Sequence, residues 1–183
     1  MDELIDIVDS QGKPTGETCL KSVAHQKGIM HSAINVWLID EEDRILIQKR
    51  GADVAVSPNE WDVSVAGHIS AGEQPIDTAV REISEEIGLK VNSKDLHFTF
   101  MYKGMTVHTN GLIDNGFCHV FIYKGNFEVK QLTPQKEEVA ELKMMKLEEI
   151  ETLVHEEKND FVDRGSDYYS LAFKEIRKFL AKK

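Results

Sequence analysis

Positive charge is scarce in this chain. Its 183 residues hold 22 Lys and Arg against 32 Asp and Glu, a formal charge of −10. A surface with that balance does not grip polyphosphate backbones, which excludes a role coating DNA or RNA. A small anion can still bind where metal ions screen the carboxylates. Cysteine is nearly missing. Cys19 and Cys118 lie far apart and form no CxxC pair, so two free thiols in a reducing cytosol are expected. No apolar run approaches the roughly 18 residues of a membrane span. The opening MDELIDIVDS is acidic, with no basic region ahead of an apolar stretch, so neither a secretory leader nor a membrane partner is expected. Repeats and low-complexity tracts are absent as well.

What is present reads as globular. Apolar residues make up 41% and aromatics 8%, enough to close a core. The length suits one domain over residues 1–183. Leu4–Val8 alternates as a short strand, and Gly12, Pro14 and Gly16 mark a turn after it. Lys21–Lys27 reads as short helix stopped by Gly28. Ser32–Asp40 is an apolar strand buried on both faces. A charged turn, Glu41–Asp43, leads to a second strand, Arg44–Arg50, which predicts a hairpin. Gly51–Glu60 is a loop holding Pro58, and Trp61–Ala66 a short strand. Leu96–Tyr102 and Phe117–Tyr123 are strands around a Gly-, Asn- and Thr-rich segment, Gly104–Gly116, expected to be a mobile loop. Glu141–Leu147 is a last strand, followed by a helix through Val154. The closing helix, Asp167–Leu180, gathers Tyr169, Ala172, Phe173, Ile176, Phe179 and Leu180 on one face. These elements predict an α/β (α+β) fold, a mixed sheet between helices.

The informative stretch is GHISAGEQPIDTAVREISEEIGL, Gly67–Leu89. Pro75 suits a first helical turn and Gly88 a C-terminal stop, so a helix spans Pro75–Ile87. With Ile76 at zero and about 100° per residue, Ile83, Ile87 and Val80 fall at about 340°, 20° and 40°. Glu85, Glu82 and Glu86 fall at about 180°, 240° and 280°, with Arg81 beside them at about 140°. Three like charges within a turn destabilise a helix. Arg81 offsets about one of them, and a hard divalent cation with oxygen ligands would offset the rest. Glu73, in the preceding loop, can orient a ligand or hold a second ion. The alternative is a solvated acidic face.

The spacing matches Gly-x5-Glu-x7-Arg-Glu-apolar-x-Glu-Glu-x-Gly-apolar at every defined position. Gly67, Glu73, Arg81, Glu82, Ile83, Glu85, Glu86, Gly88 and Leu89 fill it. A chance match in the chain is on the order of one in ten million. This segment resembles the Nudix box, residues 67–89, whose family folds as an α/β/α sandwich. The resemblance implies hydrolysis of a diphosphate joined to a group X, with Mg²⁺ or Mn²⁺ as cofactor and a small-molecule diphosphate as partner. Carried over, Glu82 and Glu86 are the main metal ligands, completed by Glu85 and the Gly67 carbonyl, and Arg81 holds the glutamates. The base that deprotonates water varies in the family. Glu85, Glu86 and Glu138 are the candidates here. The family often forms homodimers, so a second copy is a further candidate partner.

The segments VAHQKGIMHSAINVWLID and WDVSVAGHISAG resemble type 1 isopentenyl-diphosphate isomerase, which uses the same fold. There, three histidines bind a divalent metal, and His25, His31 and His68 occupy the matching places. Inheritance of the residues without the metal is the alternative. The isomerase's cysteine is replaced by Ala66, which cannot transfer a proton. Its paired later acids correspond to Asp114 and Gly116. The box here is complete, whereas that of the isomerase is usually degenerate. An isomerase-like scaffold performing hydrolysis is therefore expected in the cytoplasm. Isomerisation, or diphosphate binding without turnover, are the alternatives. Lys49 and Arg50 end a strand where they can contact phosphate or simply meet solvent. Trp37 suits the core and Trp61 the pocket, while Tyr102 and His108 border the loop and are weak candidates for substrate contact.

Overall fold

Alternation in one strand explains how the layers meet. In the computed structural model, which describes residues 2–156, 160–165 and 167–182, strand β3 spans His31–Ile39. Ile34, Val36 and Leu38 point to one side of the sheet, Trp37 and Ile39 to the other, and all five are fully buried. Side chains alternate along a strand, so a strand with apolar residues on both faces must be covered twice. Helix α2, Pro75–Ile87, covers the first side through Ala79, Ile83 and Ile87. Helices α3, Leu147–Val154, and α4, Tyr168–Leu180, cover the second through Ile150, Phe173 and Ile176. Trp37 belongs to this second core, as its apolar setting predicts.

The other elements are β1 (Leu4–Val8), β2 (Pro14–Leu20), α1 (Lys21–Lys27), β4 (Ile45–Arg50), β5 (Trp61–Asp62), β6 (Val65–His68), β7 (Leu96–Val107), β8 (Ile113–Lys124) and β9 (Val139–Met145). Strands β1 and β2 form a separate hairpin. The main sheet runs β5-β4-β3-β8-β7, with β6 on β3 and β9 on β4. β3 and β8 are parallel, from His31↔Gly116 to Ile39↔Lys124, and the other pairs are antiparallel. The mixed sheet between helices is thus as expected.

Four local expectations change. The segment at Pro14 and Gly16 is not a turn but strand β2, and the turn lies earlier, held by Asp9 accepting from the Gln11 and Lys13 amides at 2.8 and 3.0 Å. β3 and β4 share only the Ile39↔Ile45 pair, because they splay and β6 and β9 pair with them instead. Trp61–Ala66 divides into β5 and β6, which pair with different strands. Gly104–Gly116 is mostly strand, not loop. β7 and β8 stay in register from Gly104↔Gly116 to Val107↔Ile113, and only the tip between them turns. Its Gly, Asn and Thr residues do not oppose pairing once a partner strand satisfies the backbone.

Candidate active site

Helix α2 starts and stops as its sequence dictates. Pro75 stands in its first turn and Gly88 takes a left-handed φ of 70° at its end. The helix rolls so that Glu82 and Glu86, 8% and 3% exposed, face inward with Ile83 and Ile87. Glu85 stays exposed. Backbone makes room for this. A Cβ at position 67 would overlap the Glu82 carboxylate, so only Gly67 lets β6 pass this close to the helix.

Arg81 organises the acids. It donates to both oxygens of Glu73 at 3.1 and 3.0 Å, to Glu82 at 2.8 Å and to Glu85 at 3.0 Å. It also reaches the His68 carbonyl at 3.3 Å. Glu73 is anchored further by the Thr78 hydroxyl at 2.8 Å. The bond to Glu73, above all, holds the Arg81 guanidinium charged. Burial pushes the Glu82 carboxyl up to about 7 despite Arg81. Burial also drives Glu86 well above the carboxylate range, and the charges of Glu82 and Glu138 add to it. Gln48 of β4 donates to Glu86 at 3.1 Å, and its own buried Oε1 has no partner. Two buried carboxylates, a glycine cradle and an orphaned acceptor fit a hard divalent cation with oxygen ligands and bound water.

A second cluster sits across the same cavity. His25 comes from α1, His31 from β3, His68 from β6 and Asp114 from β8. One donor atom of each lies within 4.8 Å of all the others. The parallel register places Asp114 here, since β8 runs beside β3. His31 Nδ1 lies 2.9 Å from the Ile29 carbonyl, a bond only Nδ1–H can make, and its Nε2 lies 3.3 Å from Asp114 Oδ1. His25 and His68 turn their Nε2 atoms to each other at 3.1 Å. Burial lowers the His25 and His68 imidazoles, His68 strongly. Burial would raise Asp114, but the His31 bond and the three imidazoles hold it well below the carboxylate range. Three imidazoles converging with a carboxylate are a transition-metal donor set.

Both clusters line one cavity of about 1050 Å³. Glu138, Arg50, Tyr102 and His108 line it too. Lys49 does not. It lies 5.8 Å from the Trp61 ring, because it alternates with Gln48 and Arg50 along β4. Trp61 also stays out of the lining, held between Lys49 and Lys143. Cys118 reaches the cavity wall with its thiol pushed by burial up to about 12. Both cysteines are free. Sequence reasoning missed Lys21, Gln48, Asp62 and Arg164 in this wall. Their signal is tertiary, apart from the alternation that puts Gln48 on the same face as Arg50.

The fold is a mixed sheet between helices, with a carboxylate helix facing a glycine on the neighbouring strand. The NUDIX domain model matches residues 30–165. The chain belongs to that family, and its enzyme class is the Nudix hydrolases. It is 34% identical over 152 residues to an uncharacterized Nudix hydrolase of Clostridium acetobutylicum, covering 81% of this chain and 72% of that one. It is 31% identical over 176 residues to isopentenyl-diphosphate Delta-isomerase 2 of Photorhabdus laumondii, covering 96% and 91%. A crystal structure of a protein from Deinococcus radiodurans superposes with a TM-score of 0.69 at 17% identity, over 96% and 98% of the two chains. Among the described residues no helix is long and apolar enough to cross a membrane.

Proposed function

We propose that this chain is a divalent-metal-dependent Nudix hydrolase that cleaves a diphosphate linkage by attack of water at phosphorus. The observation that carries this reading is the buried Glu82 and Glu86 pair against Gly67, organised by Arg81. Glu82, Glu86 and the Gly67 carbonyl would hold Mg²⁺ or Mn²⁺, with Glu85 completing the set. The ion, when bound, screens the diphosphate, polarises a P–O bond and acidifies water. Gln48 fixes the Glu86 carboxylate, and Arg81 keeps Glu82 and Glu85 aimed together. Glu85 and Glu86 are assigned to the ion in this reading, which leaves the third candidate. Glu138, on the loop facing Glu86, is the base that takes the proton from water. His25, His31, His68 and Asp114 would hold a second ion.

Two positions disfavour isomerisation. Ala66 offers no proton donor to the cavity it lines. At Gly116, φ is 156° and a Cβ would overlap the His31 carbonyl across the parallel pair. The place of the isomerase's second acid is therefore closed by backbone. The reading takes residues 1–183 as one domain acting on a small molecule in the cytoplasm, where two free thiols persist, with a second copy of the chain as a candidate partner. Sedimentation of the purified protein checks that last point.

Phosphorus NMR tests the reaction. ADP-ribose, a nucleoside triphosphate, a dinucleoside polyphosphate and isopentenyl diphosphate are each incubated with Mg²⁺ and the protein. New phosphate products that vanish in Glu86→Gln are expected. Unchanged phosphorus spectra with a proton-detected double-bond shift in isopentenyl diphosphate would replace hydrolysis by isomerisation.

A further inference from the structure

Strand β7 ends the main sheet and pairs with β8 alone. Among the described residues, no backbone hydrogen bond reaches 97–107 from any other element. Its outer edge therefore leaves a row of N–H and C=O groups to solvent, which is a template for a further strand. Strands β2 and β9 also pair on one side only, and both are guarded. β2 begins at Pro14 and carries Glu17, and β9 carries Glu141. The 12 residues of β7, LHFTFMYKGMTV, hold no proline and no acid. Lys103 is the one fixed charge on that edge.

The same strand is unusually apolar on its surface. Of the seven large hydrophobic side chains exposed among the described residues, four stand on β7: Phe98 at 56%, Met101 at 43%, Met105 at 67% and Val107 at 63%. Alternation sorts them. Met101, Lys103, Met105 and Val107 share one face, while Tyr102, Gly104 and Thr106 turn to the cavity. A register shift between Phe98 and Phe100 sets Phe98 apart from this run. The regular strand open to a partner is 100–107.

We propose that β7 pairs antiparallel with β7 of a second copy of this chain, about a twofold axis at Gly104. That axis sets Met101 opposite Val107 of the other copy and Lys103 opposite Met105, so apolar stems cover each other on one face. An axis at Lys103 would set two lysines face to face, and like charges directly opposite are unfavourable. An axis at Met105 would shorten the paired run, because β7 ends at Val107. Charge selects the occupant. Two copies of a chain with charge −10 repel, so they meet where both lack acid. A basic partner finds no carboxylate on β7. The contact is isologous and closes at two copies. The inference rests on the reading of a second copy as partner and names its surface; it is independent of the hydrolysis.

Sedimentation of the full chain at rising concentration reads the dimer. Met105→Lys sets lysine opposite Lys103 and should weaken it by about tenfold or more. Met105→Glu loses the same methionine but meets Lys103 with opposite charge, and should dimerise at least about tenfold more tightly than Met105→Lys. Met105 is exposed, so both variants should fold. Leu171→Lys removes an exposed apolar residue of α4 and should leave the dimer unchanged. Hydrogen exchange needs no variant: amides within 101–107 should gain protection as wild type is concentrated. A wild type that stays monomeric refutes the partner reading and this surface together. A dimer indifferent to Met105→Lys, with no concentration-dependent protection at 101–107, overturns the surface and leaves the second copy bound elsewhere. Equal dissociation constants for the two Met105 variants overturn the register at Gly104.

Discussion

Gln48 and Glu86 share a buried hydrogen bond of 3.1 Å, and the other end of the Gln48 amide has no partner. The donor fixes one carboxylate oxygen, while the orphan acceptor suits a water on a bound ion. Groups behind a metal ligand typically matter by about 10- to 100-fold. Gln48→Leu should therefore weaken Mg²⁺ binding and kcat by that range with little change in melting temperature. Calorimetry with Mg²⁺ and steady-state kinetics check it. Unaltered Mg²⁺ affinity in the variant contradicts the role.

Arg81 bonds three glutamates at once. Arg81→Met leaves Glu82 buried beside like charges. The site is partly exposed, so the loss should be about 2 kcal/mol rather than the full cost of an isolated buried charge. Denaturant titration in EDTA reads it, and saturating Mg²⁺ should restore part of it by binding the same acids.

The pH dependence of Glu82 has a defined sign. Its carboxyl titrates near 7 when folded, above the usual 4.5. Between those values the folded chain binds more protons than the unfolded chain, so this group's contribution falls as pH rises. His25 and His68 act in the opposite sense, because their lowered folded pKa values favour folding as pH rises through 6.5. Comparison with Glu82→Gln removes their effect. In EDTA, Glu82→Gln and wild type should be similarly stable at pH 4.5, and the variant should lead by on the order of 3 kcal/mol at pH 8. Mg²⁺ should shrink or reverse that lead. Thermal melts across pH test this, and a lead that is constant with pH would contradict it.

Metal content separates the two clusters. Two Mn²⁺ per chain are expected at saturation. His68→Ala should lose one and Glu86→Gln should weaken the other, as read by paramagnetic resonance titration. A single site abolished by either substitution would merge the clusters into one.

Gly116→Glu should not restore an isomerase. A side chain there meets the His31 carbonyl. The expected outcome is a loss of roughly 2 kcal/mol or more. Ala66→Cys with Gly116→Glu should give no dimethylallyl product in proton NMR.

Much of this protein is legible in its sequence because the signals are local. Helix α2 runs from Pro75 to Ile87, as its terminal Pro and Gly and its apolar stripe require. The 67–89 spacing assembles Gly67, Glu73, Arg81, Glu82, Glu85 and Glu86, and the structure joins them through Arg81. β3 reads as doubly buried because Val36–Ile39 is apolar without a break. The segment 104–116 reads as loop because its composition suits turns, and only pairing along β7 and β8 makes it strand. Lys49 and Arg50 are alike as letters, yet strand alternation sends one to Trp61 and the other to the cavity. Asp114 joins the histidines through a parallel register between strands about eighty residues apart in sequence. Arg164 meets Asp62 from farther still. Local periodicity determines helices, strands and the carboxylate helix. Which distant charges share a wall depends on how the sheet is ordered, and that is decided by simultaneous burial of both its faces.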